Sequence, residues 1–294
     1  MNSQRRHISA FTLSSMLFIA APFASWADNQ PVAVGAQYDT THVYVQPGKM
    51  DAFVDSILKT FGGTVTKRVN VDVTPTPSQT WSQLILTPAG GFSVFDFTTP
   101  APYPFGQERN GFLVKDLDSA IAQAKQAGAD VLVEPFNDPI GRDAVIQWPG
   151  GVNTQLYWHT TAPKYTPLTN TPENRLYISQ YRVDDFIKSF LSFSKGHVVS
   201  DRKIDAAYMG QKQQVREVEL ESTFGKTQIF VTNGQLNYPF GLEKTGYAVK
   251  DLTTTLDKAL SSGAKVLWQS TQAEAKHLAM VQFPGGYIAE IHQI

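Results

Sequence analysis

Cysteine is missing from this 294-residue chain. Disulfides, thiolate catalysis and cysteine-held metals are therefore excluded, and stability must come chiefly from burial. Net charge is almost missing too: 25 Lys and Arg against 26 Asp and Glu leave a formal −1. No basic run follows the N-terminal segment, which argues against nucleic acid, whose binding rests on phosphate neutralisation. The longest mostly apolar stretch, residues 8–23, is shorter than the roughly 20 residues a membrane span needs. No serine and histidine arrangement suggests a nucleophilic triad. The two Pro-Gly-Gly turns are not followed by a helix, so neither reads as a phosphate loop.

The N-terminus has the pattern of a secretory signal. Arg5 and Arg6 precede an apolar centre containing Leu13, Met16, Leu17, Phe18 and Ile19, and Ser25-Trp26-Ala27 places small residues at the cleavage-determining positions. Cleavage before Asp28 and an exported, periplasmic or secreted, mature chain are the expectation. The Arg-Arg pair leaves both the general and the twin-arginine routes open.

The mature region writes one motif twice. Tyr103-Pro104-Phe105-Gly106-Gln107-Glu108-Arg109-Asn110-Gly111-Phe112 returns as Tyr238-Pro239-Phe240-Gly241-Leu242-Glu243-Lys244-Thr245-Gly246-Tyr247, at an offset of 135. The same offset carries Val114-Lys115-Asp116-Leu117 onto Val249-Lys250-Asp251-Leu252, and Trp148-Pro149-Gly150-Gly151 onto Phe283-Pro284-Gly285-Gly286. A constant offset without insertions means duplication of a structural unit. Within each copy a smaller unit recurs, with starts near His42, Arg109, Arg175 and Lys244.

In the first unit, residues 41–45 alternate as a strand does. Residues 50–61 carry Phe53, Ile57, Leu58 and Phe61 at helical spacing, and Gly62-Gly63 stops them. Residues 64–71, 79–87 and 91–98 read as strands. The second unit repeats the order, with Asp116 placed to cap its helix. Residues 160–174, rich in proline and threonine, read as a linker. With 42% hydrophobic residues, each half is expected to bury a core. Tyr-Pro-Phe-Gly reads as a turn with packed aromatics. Strand alternation sends Glu108 and Glu243 away from Arg109 and Lys244, towards a surface or turn.

The duplicated Val-Lys-Asp-Leu openings, the Gly-Ala-Asp-Val and Gly-Ala-Lys-Val segments, and the Pro-Gly-Gly closings resemble the vicinal oxygen chelate superfamily of glyoxalases, extradiol dioxygenases and antibiotic-resistance proteins. The resemblance covers almost all the mature chain. It implies an α+β fold of four βαβββ modules forming two tandem glyoxalase-like domains. The expected layout is a signal peptide (1–27), a polar leader (28–38), a first domain (39–160), a linker (161–173) and a second domain (174–294).

The resemblance also implies a divalent metal in a cup, held by residues on the first and last strands of modules. Carried over, the first-domain positions are His42, Asp96, Arg109 and Gln155, and the second-domain positions are Arg175, Phe230, Lys244 and Glu290. His42, Asp96 and Gln155 are the implied metal ligands; His42 and Arg109 are the catalytic candidates. A protonated Arg or Lys cannot ligate a metal, so the pattern is atypical. Asp96 is expected to pair with Arg109, and Lys244 with Glu290 in place of a lost metal.

Alternatively, Arg109, Arg175, Lys244 and Glu290 bind a ligand. Three functions stay open. The cup acts on or binds a small oxygen-rich or anionic molecule at a degenerate metal site; the first domain is a metal-dependent lyase, isomerase or dioxygenase; or the protein binds a small ligand without chemistry.

Overall fold

The computed structural model describes residues 31–165, 168–241, 243–271 and 277–294. The expected signal segment and leader residues 28–30 lie outside the described residues.

The first module runs β1 (Thr40–Tyr44), α1 (Met50–Phe61), β2 (Thr64–Val65), β3 (Val69–Val71), β4 (Thr80–Thr87) and β5 (Gly90–Phe97). The second runs β6 (Arg109–Leu113), α2 (Leu117–Gln126), β7 (Asp130–Asn137), β8 (Gly141–Gln147) and β9 (Asn153–His159). The third is β10 (Glu173–Ser179), α3 (Val183–Ser194), β11 (His197–Ile204), β12 (Val215–Ser222) and β13 (Gly225–Thr232). The fourth is β14 (Lys244–Val249), α4 (Leu252–Ser261), β15 (Lys265–Gln269), β16 (Leu278–Gln282) and β17 (Ile288–Gln293).

Local chemistry fixes the element ends. Asp116 accepts a hydrogen bond from Ser119 N at 2.7 Å, and Asp251 accepts one from Thr254 N at 2.9 Å, so both caps form as the sequence suggests. Gly150 and Gly151 have φ of 95° and 84° in the turn between β8 and β9, a conformation that costs other residues a Cβ clash. Phe105 and Phe240 are buried while Tyr103 and Tyr238 are exposed. The Tyr-Pro-Phe-Gly motif is thus a turn anchored by its phenylalanine.

Two modules make one sheet. The first sheet has the order β2-β4-β5-β1-β6-β9-β8-β7, with β3 also on β4; the second has β11-β12-β13-β10-β14-β17-β16-β15. In both, the first strands of the two modules lie side by side and antiparallel at the centre. His42 faces Arg109 across β1 and β6, as Arg175 faces Lys244 across β10 and β14. Each is flanked by a parallel partner: β5 beside β1, β9 beside β6, and their counterparts in the second sheet.

The two largest cores cross between the halves, unlike the expectation of one core per half. One joins Phe53 and Ile57 of α1 with Leu252 and Leu256 of α4 and with Phe283 and Tyr287. The other joins Leu117 and Ile121 of α2 with Phe186, Phe190 and Phe193 of α3. The physical reason is visible in α1. The ring of Phe53 touches Phe92 of its own sheet but also Phe283 and Tyr287 of the other, at centroid distances of 6.3 and 5.9 Å. Strand alternation leaves the opposite face of each sheet as a cup with its own smaller core. Among the described residues no helix is long and apolar enough to cross a membrane.

Candidate functional site

His42 sits at the centre of the first cup, 5% exposed. Its imidazole lies flat on Phe95 (5.6 Å, 1°) and edge-on to Tyr157 (5.8 Å, 78°). It can do so because the residue beneath it on β6 is Gly111. A Cβ there would come within 2.0 Å of the imidazole Cε1. Burial first, and the Arg109 charge second, push His42 down to about 3, so the ring is neutral near pH 7. Its Nδ1 has no hydrogen-bond partner.

Arg109, the cross-strand neighbour of His42, is 1% exposed. Its Nη2 donates to the carbonyls of Pro104 and Gln107, the latter at 3.0 Å. The guanidinium carbon stands 5.7 Å from the Tyr44 ring and 5.5 Å from the Phe105 ring, which is cation–π range. Nε and Nη1 are buried without acceptors. Gln155 on β9 pairs with Gly111 and is buried. Its Nε2 donates to Asp143 Oδ2 at 2.9 Å, and its Oε1 has no partner. Burial and the Asp138 charge hold the Asp143 carboxyl well above the usual carboxylate range, against the pull of Gln155.

Beside His42 opens a cavity of about 160 Å³, with Ser93, Phe95, Asp143, Tyr157 and His159 among its walls. Tyr157 donates to the Tyr38 carbonyl and so closes one side. The sequence reading missed Asp143 and Tyr157. Tyr157 shares the parity of Gln155 on one strand, a signal that was available. Asp143 had none, since its link to Gln155 depends on how β8 and β9 register.

Asp96 is not part of this cup. It belongs to the face of β5 that carries Phe92 and Val94 into the core shared with α4. Its carboxylate accepts from Gly48 N at 2.9 Å and from Met50 N at 3.4 Å, where it caps α1. Both the metal role and the Arg109 ion pair expected for it are therefore wrong. Alternation makes Phe95 the inward residue, as Phe230 is in the second sheet.

In the second cup Arg175 takes the place of His42, lying over Gly246 as His42 lies over Gly111. Its Nε donates to Glu290 at 2.9 Å and its Nη2 reaches Glu173 at 2.7 Å. Arg175 in turn pulls Glu290 down to about 2 against its burial, with His292 helping. The expected Lys244–Glu290 bridge does not form, because the nearer guanidinium has taken the carboxylate. The charges that act on Lys244 are those of Glu108 and Glu243.

These two glutamates are not surface residues either. They are partly buried where the halves meet, and burial raises each to about 7. Glu243 accepts from the backbone and side chain of Asn110, at 3.2 and 3.1 Å.

No protein-family model matches the chain, and no curated protein matches it by sequence. Solved structures do match in three dimensions. A triple mutant of 4-hydroxymandelate synthase from Streptomyces coelicolor superposes with a TM-score of 0.58 at 12% identity, over 90% of this chain and 93% of that one. The Mn(II)-bound glyoxalase from Novosphingobium aromaticivorans gives 0.51 at 13%, over 90% and 83%. The 2,3-dioxygenase LapB from a Pseudomonas species gives 0.51 at 11%, over 88% and 93%.

The fold is that of the vicinal oxygen chelate superfamily.

A vicinal oxygen chelate fold raises the question of a divalent metal, and the side chains present do not fit one. The four inward positions of the first cup hold His42, Phe95, Arg109 and Gln155, which offer one imidazole nitrogen and one amide oxygen beside a fixed guanidinium. Hard and borderline cations want three or more N or O ligands, carboxylates among them, and a neighbouring cation repels them. In the second cup the carboxylate is already bound to Arg175. Among the described residues no group of three or more His, Asp or Glu side chains converges as a metal site.

Proposed function

We propose that the first cup binds a small oxygenated molecule, about the size of one six-membered ring, without a divalent metal. The observation that carries this reading is the cavity beside His42, whose Nδ1 is unpaired and whose walls include Ser93, Asp143 and Tyr157; Arg109 and Gln155, which also keep unpaired polar atoms, are buried outside those walls. An unsatisfied buried polar group costs ~1–3 kcal/mol, so His42 Nδ1 at the wall favours a guest that completes it. His42 Nδ1 and the Ser93 hydroxyl, both on the cavity wall, hydrogen-bond the ligand oxygens. Phe95 and Tyr157 supply apolar walls. A cavity of ~150 Å³ takes a benzene-sized guest, and this one is about 160 Å³.

The test is a thermal-shift screen of metal-free protein against single-ring hydroxy and carbonyl compounds, followed by calorimetry of the best binder. Binding that weakens at least tenfold in His42→Phe supports the reading. Binding that requires added metal overturns it.

The rival reading is a metal-dependent enzyme using His42 and Gln155. One observation favours it: burial keeps His42 neutral, the form that ligates metals. The displaced Asp96 and the adjacent Arg109 count against it.

The site is proposed to work outside the cytoplasm. The N-terminal Arg5-Arg6, the apolar run and Ser25-Trp26-Ala27 support export, as does the lack of cysteine, which leaves no thiol to oxidise there. N-terminal sequencing of protein from the secreting host checks it; a mature chain starting near Asp28 is the expected result.

A further inference from the structure

The second cup holds a cavity of about 440 Å³, within the ~300–1,000 Å³ of small-molecule pockets. It occupies the same place in its sheet as the His42 cavity does in the first, with the opposite chemistry. On paired strands, Glu219 and Gln228 face each other where the first sheet has Leu84 and Ser93. Arg175 replaces His42 and His292 replaces Tyr157.

Most charges around this cavity are already matched. Arg175 holds Glu290 and Glu173, and Arg202 holds Glu217. Three features are left over. Arg175, 4% exposed, keeps Nη1 without an acceptor. Lys226 and Glu219, on the cup face of β13 and β12, form no direct ion pair with another described residue, although Lys226 stands opposite Glu221 on the paired strand and its charge reaches Glu173. Lys226 is the diagonal neighbour of Glu219, since Glu219 pairs with Gln228. Such neighbours lie ~7–8 Å apart, a gap that one small molecule spans. Phe230 and Tyr208 add aromatic surface.

We propose that the second cup binds a small zwitterion of the unblocked amino-acid class. The carboxylate lies between Arg175 Nη1 and Lys226, the ammonium on Glu219, and the remainder against Phe230 and Tyr208. A ligand with a carboxylate alone leaves Glu219 unpaired. One with an ammonium alone leaves the Nη1 of Arg175 unpaired. An apolar ligand leaves the buried N–H of Arg175 unpartnered. Only a molecule carrying both charges answers the pattern.

The experiment is a thermal-shift screen of the full mature protein against the twenty free amino acids, then calorimetry of the best binder beside its N-acetyl and amide forms. The free form binds, and each blocked form binds at least about tenfold more weakly, the loss expected for a charged hydrogen bond. Lys226→Gln and Glu219→Gln, both at accessible positions, each weaken it to a similar extent with unchanged melting, while Gln155→Leu in the first cup leaves it intact. The proposal is overturned if no free amino acid binds, if a blocked form binds as well as the free one, or if the two second-cup variants bind normally.

Discussion

His42 and Arg109 are directly opposed on the two central strands of the first sheet, the first neutral by burial and the second a guanidinium that forms no ion pair among the described residues, its charge reaching the Glu243 carboxyl. The second sheet puts two cations, Arg175 and Lys244, in the same register. The central position pair of both sheets is thus built around fixed positive charge.

The pH dependence of stability has two opposing limbs. His42 falls from an ordinary 6.5 to about 3 on folding. The unfolded chain therefore takes up a proton that the folded one refuses, and stability drops as pH falls from about 6.5 towards 3. Glu108 and Glu243 rise from 4.5 to about 7. Here the folded chain holds protons the unfolded one has released, so stability drops as pH rises from about 4.5 through 7. Chemical denaturation between pH 4 and 8 is expected to show Glu243→Gln flattening the upper limb and His42→Gln the lower one.

Gly111→Ala is expected to cost more than Gly246→Ala. The new Cβ meets the stiff His42 ring at 2.0 Å in the first case and the Arg175 guanidinium at 3.0 Å in the second. Overpacking of the first kind costs ~1–3 kcal/mol, whereas the arginine can shift. Denaturation midpoints of the two variants give the comparison, and equal losses would contradict it.

Glu290→Ala should destabilise, by less than the ~3–5 kcal/mol of a wholly unpaired buried charge, because it removes one of the two carboxylates that hold the buried Arg175. Replacing Arg175 and Glu290 together by methionine should recover much of that loss. A double variant no better than the single one would show that Glu173 and His292 need the pair in place.

Phe53→Ala should cost ~3–5 kcal/mol, with both halves melting in one transition, since the ring bridges the two sheets. Two separate calorimetric transitions would show that the shared cores are weaker than their packing suggests.

The architecture was legible because duplication writes itself into the sequence. The helix caps Asp116 and Asp251 and the turn glycines follow local rules that need no partner. Gly111 and Gly246 were visible as repeated letters, though their purpose, clearance for His42 and Arg175, appears only with the sheet assembled. Asp96 was misplaced by one residue because the phase of β5 was counted from a motif, and one step flips a side chain to the other face. Residues 64–71 read as one strand but form β2 and β3, with Thr66 between them still bonded to Leu84 through its backbone and hydroxyl. Glu243 read as exposed because its burial is created by the other half of the chain. That information is non-local, as is the choice of Arg175 over Lys244 by Glu290.

The central claim is that the first cup functions without a divalent ion. Metal analysis of protein purified without chelator, with melting recorded before and after chelation, tests it most directly. The account predicts less than stoichiometric metal and an unchanged melting temperature. One equivalent of manganese, iron or zinc that stabilises the protein and disappears in His42→Ala would contradict it.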